Sequence, residues 1–150
     1  MWEDEIMHKK KFRVWDKEFQ EFSNWTNRDP FLDLSSGKIF YCERTRSPNG
    51  SYGGDIVIED NGERFVLQEW TGVQDKHGND IYEGDILKIH NCNCLENVVF
   101  LRGSFGIHQN SKHSTRRKDN DEADFYGLDT FYSHELEVLG NIFQNTGLLL

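Results

Sequence analysis

Polar and apolar residues alternate in short runs along this chain, and the runs are broken by Gly, Asn, Asp or Pro. Lys11-Phe-Arg-Val-Trp15 alternates over five residues, the mark of a half-buried strand. Asp16-Lys17 predicts a turn, after which Phe19 and Phe22 continue as a returning strand or as one helical turn. Residues 23–30 are polar and end in Pro30, which predicts a loop. Asp33 to Gly37 reads as a further turn and Lys38 to Cys42 as a strand. Arg44 to Gly54 collects Ser, Pro, Asn and three Gly, and so predicts a mobile loop or a hairpin tip.

Asp55-Ile-Val-Ile-Glu59 and Arg64-Phe-Val-Leu-Gln68 flank Asn61-Gly62, a strong local signal for a hairpin between those two runs. From Leu67 to Ile89 the pattern is strand, Gly turn, short connection, second Gly turn, strand. Val98 to Leu101 and Ser104 to His108 predict another hairpin, turning on Arg102-Gly103. Phe125 to Phe131 is aromatic and returns to the core, and Glu135-Leu-Glu-Val-Leu139 alternates as a last strand. Apolar positions at helical spacing are nearly absent, with only a weak trace from Phe12 to Phe22. Short strands separated by Gly turns predict a mainly β fold with minor α content.

Composition then narrows the picture. At 150 residues the chain suits a single domain, and one of that size buries about two-thirds of its unfolded surface. Eleven Phe, five Tyr and four Trp supply bulky core pieces. No apolar run approaches the ~20 residues that span a bilayer, so no membrane is expected. The acidic start Met1-Trp-Glu-Asp-Glu-Ile6 is unlike a secretory signal, and three cysteines do not make a disulfide framework. A reducing cytoplasm is the expected setting. The net charge of −9 speaks against nonspecific nucleic-acid affinity, and neither part is basic: residues 1–68 carry −3 and the rest −6.

Reactive chemistry finds little purchase. His90-Asn-Cys-Asn-Cys94 holds three soft donors, but Cys-x-Cys is the wrong spacing for a zinc knuckle, so a loop is the better reading. Asp119 to Asp124 alternates oxygen ligands yet lacks the Gly and the closing Glu of a calcium loop. Asp80, Glu83 and Asp85 are close in sequence, and turn closure explains them better than hydrolysis does. No cofactor, metal or catalytic residue is expected. Lys112 to Asp124 sets a basic block, with Arg116, Arg117 and Lys118, against an acidic one, and predicts an exposed charged insertion over 110–124. With Trp70, Tyr82 and Phe105 as possible base-stacking rings, that block is the basis of an alternative reading as a nucleic-acid-binding module.

The run Thr71-Gly-Val-Gln-Asp-Lys-His-Gly-Asn-Asp-Ile-Tyr-Glu-Gly-Asp85 resembles the signature of the YopX family of phage and prophage proteins. Phe12-Arg-Val-Trp-Asp-Lys17 resembles that family's opening strand, and Leu136-Glu-Val-Leu-Gly-Asn-Ile-Phe-Gln-Asn145 its closing strand and turn. Thr146-Gly147 departs from the Pro-Glu usual there, which implies a looser last turn. The signature positions are Trp15, Asp16, Thr71, Gly72, Asp75, Gly78, Tyr82, Glu83, Gly84, Asp85, Gly140 and Asn141, all expected to be structural. Gly72, Gly78 and Gly84 permit positive φ, and Asp75 and Asp85 can bond backbone two residues on. Tyr82 offers an aromatic body to the core and a hydroxyl to a nearby carbonyl. The resemblance implies a phage-encoded protein of the host cytoplasm with no activity to transfer.

Gly84-Asp85 before an alternating strand is also how many SH3-like barrels open a strand. The expected architecture is therefore a single domain over 1–150. Its residues 1–66 form an N-terminal β extension and 67–150 an SH3-like small barrel. The expected function is non-enzymatic: association with a protein partner, including a homo-oligomer.

Overall fold

The alternating runs become strands. The computed structural model describes residues 10–23, 30–108 and 125–149. Over these residues twelve strands follow in order: β1 (Phe12–Asp16), β2 (Glu21–Phe22), β3 (Phe31–Asp33), β4 (Lys38–Arg46), β5 (Tyr52–Asp60), β6 (Phe65–Gln74), β7 (Asp80–Tyr82), β8 (Asp85–Ile89), β9 (Cys94–Leu101), β10 (Ser104–His108), β11 (Phe125–Gly127) and β12 (Leu136–Asn141). Three 3-10 turns, Leu128–Thr130, Ser133–Glu135 and Thr146–Leu149, complete the list, and no α-helix occurs among the described residues. The fold is mainly β. Among the described residues no helix is long and apolar enough to cross a membrane.

The chain divides into two units, Met1–Phe12 with Gln68–Leu150 and Arg13–Leu67. The first holds a five-stranded sheet in the order β11-β10-β9-β8-β12, curled as a half-barrel. Its core packs Ile81, Leu87, Ile89, Val98, Ile107, Leu128 and Leu136, with Phe105 and Phe131 against them. Burying such an aliphatic side chain contributes roughly 1.5–3 kcal/mol. The β9–β10 hairpin turns on Arg102 and Gly103 as the sequence predicts, both with positive φ (53° and 82°). Asn-Gly-like turns of that hand match the strand twist.

The second unit holds the open sheet β3-β4-β5, with Ile39, Val14 and Phe65 as its core and Leu32, Tyr41 and Leu67 beside them. β2 returns antiparallel on β1, setting Trp15 against Phe22, so Phe19 to Phe22 is a turn and strand, not a helical turn. The order of the remaining sheet is β2-β1-β6-β7, and β6 starts in one unit and ends in the other.

The hairpin expected at Asn61-Gly62 is a correction. β5 pairs along its length with β4, not with β6. Asp60 explains the corner: its carboxylate accepts the N–H groups of Gly62, Arg64 and Phe65 at 3.2, 3.1 and 3.1 Å. Those bonds turn the chain out of one sheet and into another. Gly62 supplies its positive φ (82°) to a corner, where the same dipeptide in a hairpin would have served a turn. The loop expected over Arg44–Gly54 shrinks to residues 47–51, because β4 and β5 extend on either side of it.

Trp15 and Asp16, the first signature positions, are both buried. Arg64 reaches Asp16 with Nε at 3.1 Å and Nη2 at 2.8 Å from Oδ2, and its guanidinium lies 4.7 Å from the Phe65 ring centroid. Burial alone would raise the Asp16 pKa, but the Arg64 hydrogen bond and the N–H groups of Phe19 and Glu18 hold it below the ordinary value. A carboxyl depressed in this way stabilises the fold above its unfolded pKa and stops doing so as pH falls through the folded one. R64M leaves that carboxylate half-satisfied and is expected to cost about 2–3 kcal/mol in urea unfolding. The wild type is expected to lose stability below about pH 4 more steeply than D16N does. Equal stability of R64M and wild type at neutral pH would show that the pair is decorative.

Candidate functional site

The signature segment is built on three carboxylate and amide anchors. Asp75, buried, accepts the N–H of His77 and of Asn79 at 2.9 Å each through Oδ1, and that of Val138 at 3.1 Å through Oδ2. It therefore closes its own turn and ties that turn to β12. Burial pushes its pKa up and these bonds, Val138 first, more than offset it, so the group is held ionised. Gly78 sits at the turn's positive-φ corner (81°), with its N–H on the Asp75 carbonyl. Gly72 has the positive φ expected of it (85°) and lies inside β6, where the register to β7 slips between Trp70 and Gln74. Thr71 holds that bulge, donating from Oγ1 to the Ile81 carbonyl at 2.8 Å and accepting the Val73 N–H.

Asp85 departs from its expected turn. It bonds backward, accepting the N–H of Tyr82 at 2.8 Å, and also faces the side chain of Asn141 at 3.4 Å. Asn141 in turn donates to Gln68 Oε1 at 3.3 Å, and all three side chains are buried. Gly84 (φ 79°) lies against this knot: a Cβ there would run into the Gln68 amide and crowd Ile142. Gly140 is tight for a different reason, since a Cβ would meet the Asn145 side chain that accepts the Asn141 N–H. Glu83 lies beside Glu69, and burial followed by that like charge raises its pKa. Tyr82 is half-buried. The closing segment ends in a 3-10 turn at Thr146–Leu149, held by the Leu148 N–H on the Asn145 carbonyl.

Sequence reasoning missed a surface cluster around Glu137. Lys76 Nζ lies 2.8 Å and His90 Nε2 3.0 Å from Oε2, and His77 Nε2 3.5 Å from Oε1. Lys76 above all holds the Glu137 carboxyl down to about 2, with the two imidazoles adding to it. Only the alternation of β12, which sends Glu137 outward beside Leu136, hinted at this. An open pocket of about 210 Å³ lies nearby, walled by Ile89, Cys94, Ile107, Tyr126 and Phe131 with Glu96. That is smaller than the ~300 Å³ at which small-molecule sites begin.

The model of the YopX protein family matches residues 11–150. The chain belongs to the YopX family. Two solved structures share its fold. Protein EF1440 from Enterococcus faecalis is 23% identical with a TM-score of 0.56, covering 96% of this chain and 100% of its own. Protein yopX from Bacillus subtilis is 18% identical with a TM-score of 0.54, at the same two coverages. No curated protein matches the chain.

In this YopX-family chain the residues weighed for chemistry scatter. Asp80 is bound by Lys11 at 2.7 Å and Gln74 at 3.0 Å, while Asp85 belongs to the Asn141 knot, so two of the three neighbouring acids serve different partners. The sulfurs of Cys92 and Cys94 lie side by side, and His90 points to Glu137. Among the described residues no group of three His, Cys, Asp or Glu could hold a metal ion. Arg116, Arg117, Lys118 and the Asp119–Asp124 run lie outside the described residues. Of the rings weighed for base stacking, Trp70 carries Lys11 over its face at 4.2 Å and Phe105 packs edge-on to Phe100.

Two outcomes test this arrangement. G84A is expected to lose about 2–3 kcal/mol in denaturant unfolding, more than G78A, whose positive φ costs about 1 kcal/mol but whose Cβ meets open space. Equal losses would show that Gln68 yields freely. In a carboxyl NMR titration Glu137 is expected to protonate only near about 2, and K76M to return it toward ordinary glutamate values. Its contribution to stability is present above the unfolded pKa and vanishes as pH falls through the folded one.

Proposed function

We propose that this protein is a non-enzymatic accessory protein of phage or prophage origin that works in the host cytoplasm through protein–protein association, including with itself. On this reading the curled sheet is an SH3-like half-barrel that serves as scaffold, and the β3-β4-β5 sheet is the surface that meets a partner.

The observation that supports it is what that sheet leaves uncovered. β5 is its edge strand. On the face turned away from the Ile39 core, Val57 is 62% exposed, Phe31 46% and Tyr52 65%. Apolar side chains grouped on one open sheet face mark an association surface far better than single exposed residues do. The saturated carboxylates of the signature fit a scaffold role for the rest of the chain.

Affinity capture from phage-infected host lysate, followed by binding measurements with the purified partner, tests the proposal. The wild type is expected to retain that partner, and V57K to bind it at least about tenfold more weakly. Equal binding by both proteins, or no capture together with a monomeric wild type, removes the reading.

A further inference from the structure

On the outward face of the β3-β4-β5 sheet, charge is sorted by strand. β4 presents Lys38, Arg44 and Arg46 there, and β5 presents Asp55 and Glu59. The register sets Arg44 directly beside Asp55, Cys42 beside Val57 and Phe40 beside Glu59. Phe31 stacks on Phe40 at 5.5 Å, and Lys38 bridges to Glu59 at 2.7 Å. Along each column the middle is apolar: Phe40 and Cys42 lie between Lys38 and Arg44 on β4, and Val57 between Asp55 and Glu59 on β5, with Arg44, Asp55, Cys42 and Val57 all exposed.

We propose that this face binds a second copy of the chain, with the two-fold axis running along the strands, so that each copy's β5 lies over the other's β4. The inference rests on the association reading and names its partner. Rotation about such an axis exchanges the two columns and keeps each residue's position along the strand. Arg44 then faces Asp55 of the second copy, and Cys42 faces its Val57. The strands of the two sheets run nearly parallel, as they do in face-to-face packing, where they cross at about 30° and lie about 10 Å apart.

The other symmetric arrangements oppose like charges. A two-fold axis across the strands, centred on Val57, lays Asp55 over Glu59 of the second copy. Edge-to-edge pairing of β5 with itself about Val57 brings Asp55 beside Glu59 of the second copy at both ends. Like charges set opposite one another are destabilising. Charge thus selects one geometry of the three.

The test uses sedimentation across a concentration series with the full chain. The wild type is expected to dimerise, and R44E and D55R each to associate at least about tenfold more weakly. An equimolar mixture of R44E and D55R is expected to dimerise again. In that mixture each chain's own 44–55 pair stays broken. Between chains, however, the introduced glutamate faces the introduced arginine, and the Arg44 kept by one variant faces the Asp55 kept by the other. Recovery therefore reads contact between chains and also shows that both variants are folded. E43R, on the opposite face of β4, is expected to leave dimerisation unchanged. A wild type that is monomeric throughout, or a mixture that fails to recover, overturns the proposal. A monomeric wild type that still captures a host protein lost by V57K overturns the second copy alone and leaves the association reading standing.

Discussion

The side chain of Asn141 decides where three strands meet. It is buried, and its amide N–H groups reach Gln68 on β6 and Asp85 at the start of β8, while its carbonyl takes the Phe143 N–H at 2.9 Å. A buried polar group left unpaired costs about 1–3 kcal/mol, more than the net gain of the bond itself. A slip of any one strand would orphan several such groups at once. The apolar core supplies most of the stability, and polar complementarity at this one point fixes the register. That lock also dictates Gly84: the Gln68 amide occupies the space a side chain would need, so the tight turn before β8 has room only for a hydrogen.

Alternation and turn chemistry made the strands legible. Phe12–Trp15, Val98–His108 and Leu136–Leu139 fall within strands or the hairpin expected of them, with Lys11 just before its strand and Glu135 in a 3-10 turn, and the Thr71–Asp85 run pointed to the family. Asn61-Gly62 misled because its local signal is the same for a hairpin and for a corner; the decision lies with Asp60, whose carboxylate gathers the following N–H groups, and with β4, which claims β5 from elsewhere in the chain. Gly72 has its expected positive φ, which here serves a bulge. Gln68 and Glu137 were invisible. Each owes its role to partners 47 to 73 residues away, and beyond the outward position of Glu137 on β12 no local pattern carries that information.

Among the described residues the best-bonded carboxylates are structural acceptors, which is why the acids of the signature look more reactive on paper than in space. Asp75 takes three backbone N–H groups, Asp60 takes three, and Asp16 takes a bidentate arginine. An ionised carboxylate is an acceptor with about four lone-pair sites, well suited to corners where several N–H groups converge without a strand to bond them. Saturated in that way it has little left for a substrate. Glu83, raised by burial and by Glu69, is the exception in sign, and Glu137 the extreme in the other direction.

The β4–β5 hairpin breaks strict alternation, as β6 does at Phe65-Val-Leu67 and β9 at Val98-Val-Phe-Leu101. Ile39, Phe40 and Tyr41 are consecutive and apolar, as are Ile56, Val57 and Ile58. A strand with one wet face carries polar residues at every second position; consecutive apolar residues are the pattern of a strand covered on both sides. Ile39 and Tyr41 face the Val14–Phe65 core and have their cover. Phe40 and Val57 point the other way, with Phe31 stacked beside them and charged columns at their flanks. Neither face is fully covered: Ile56, on the Ile39 side, is 47% exposed and Val57, on the other, 62%. Solvation alone would have been better served by Thr or Lys at 57.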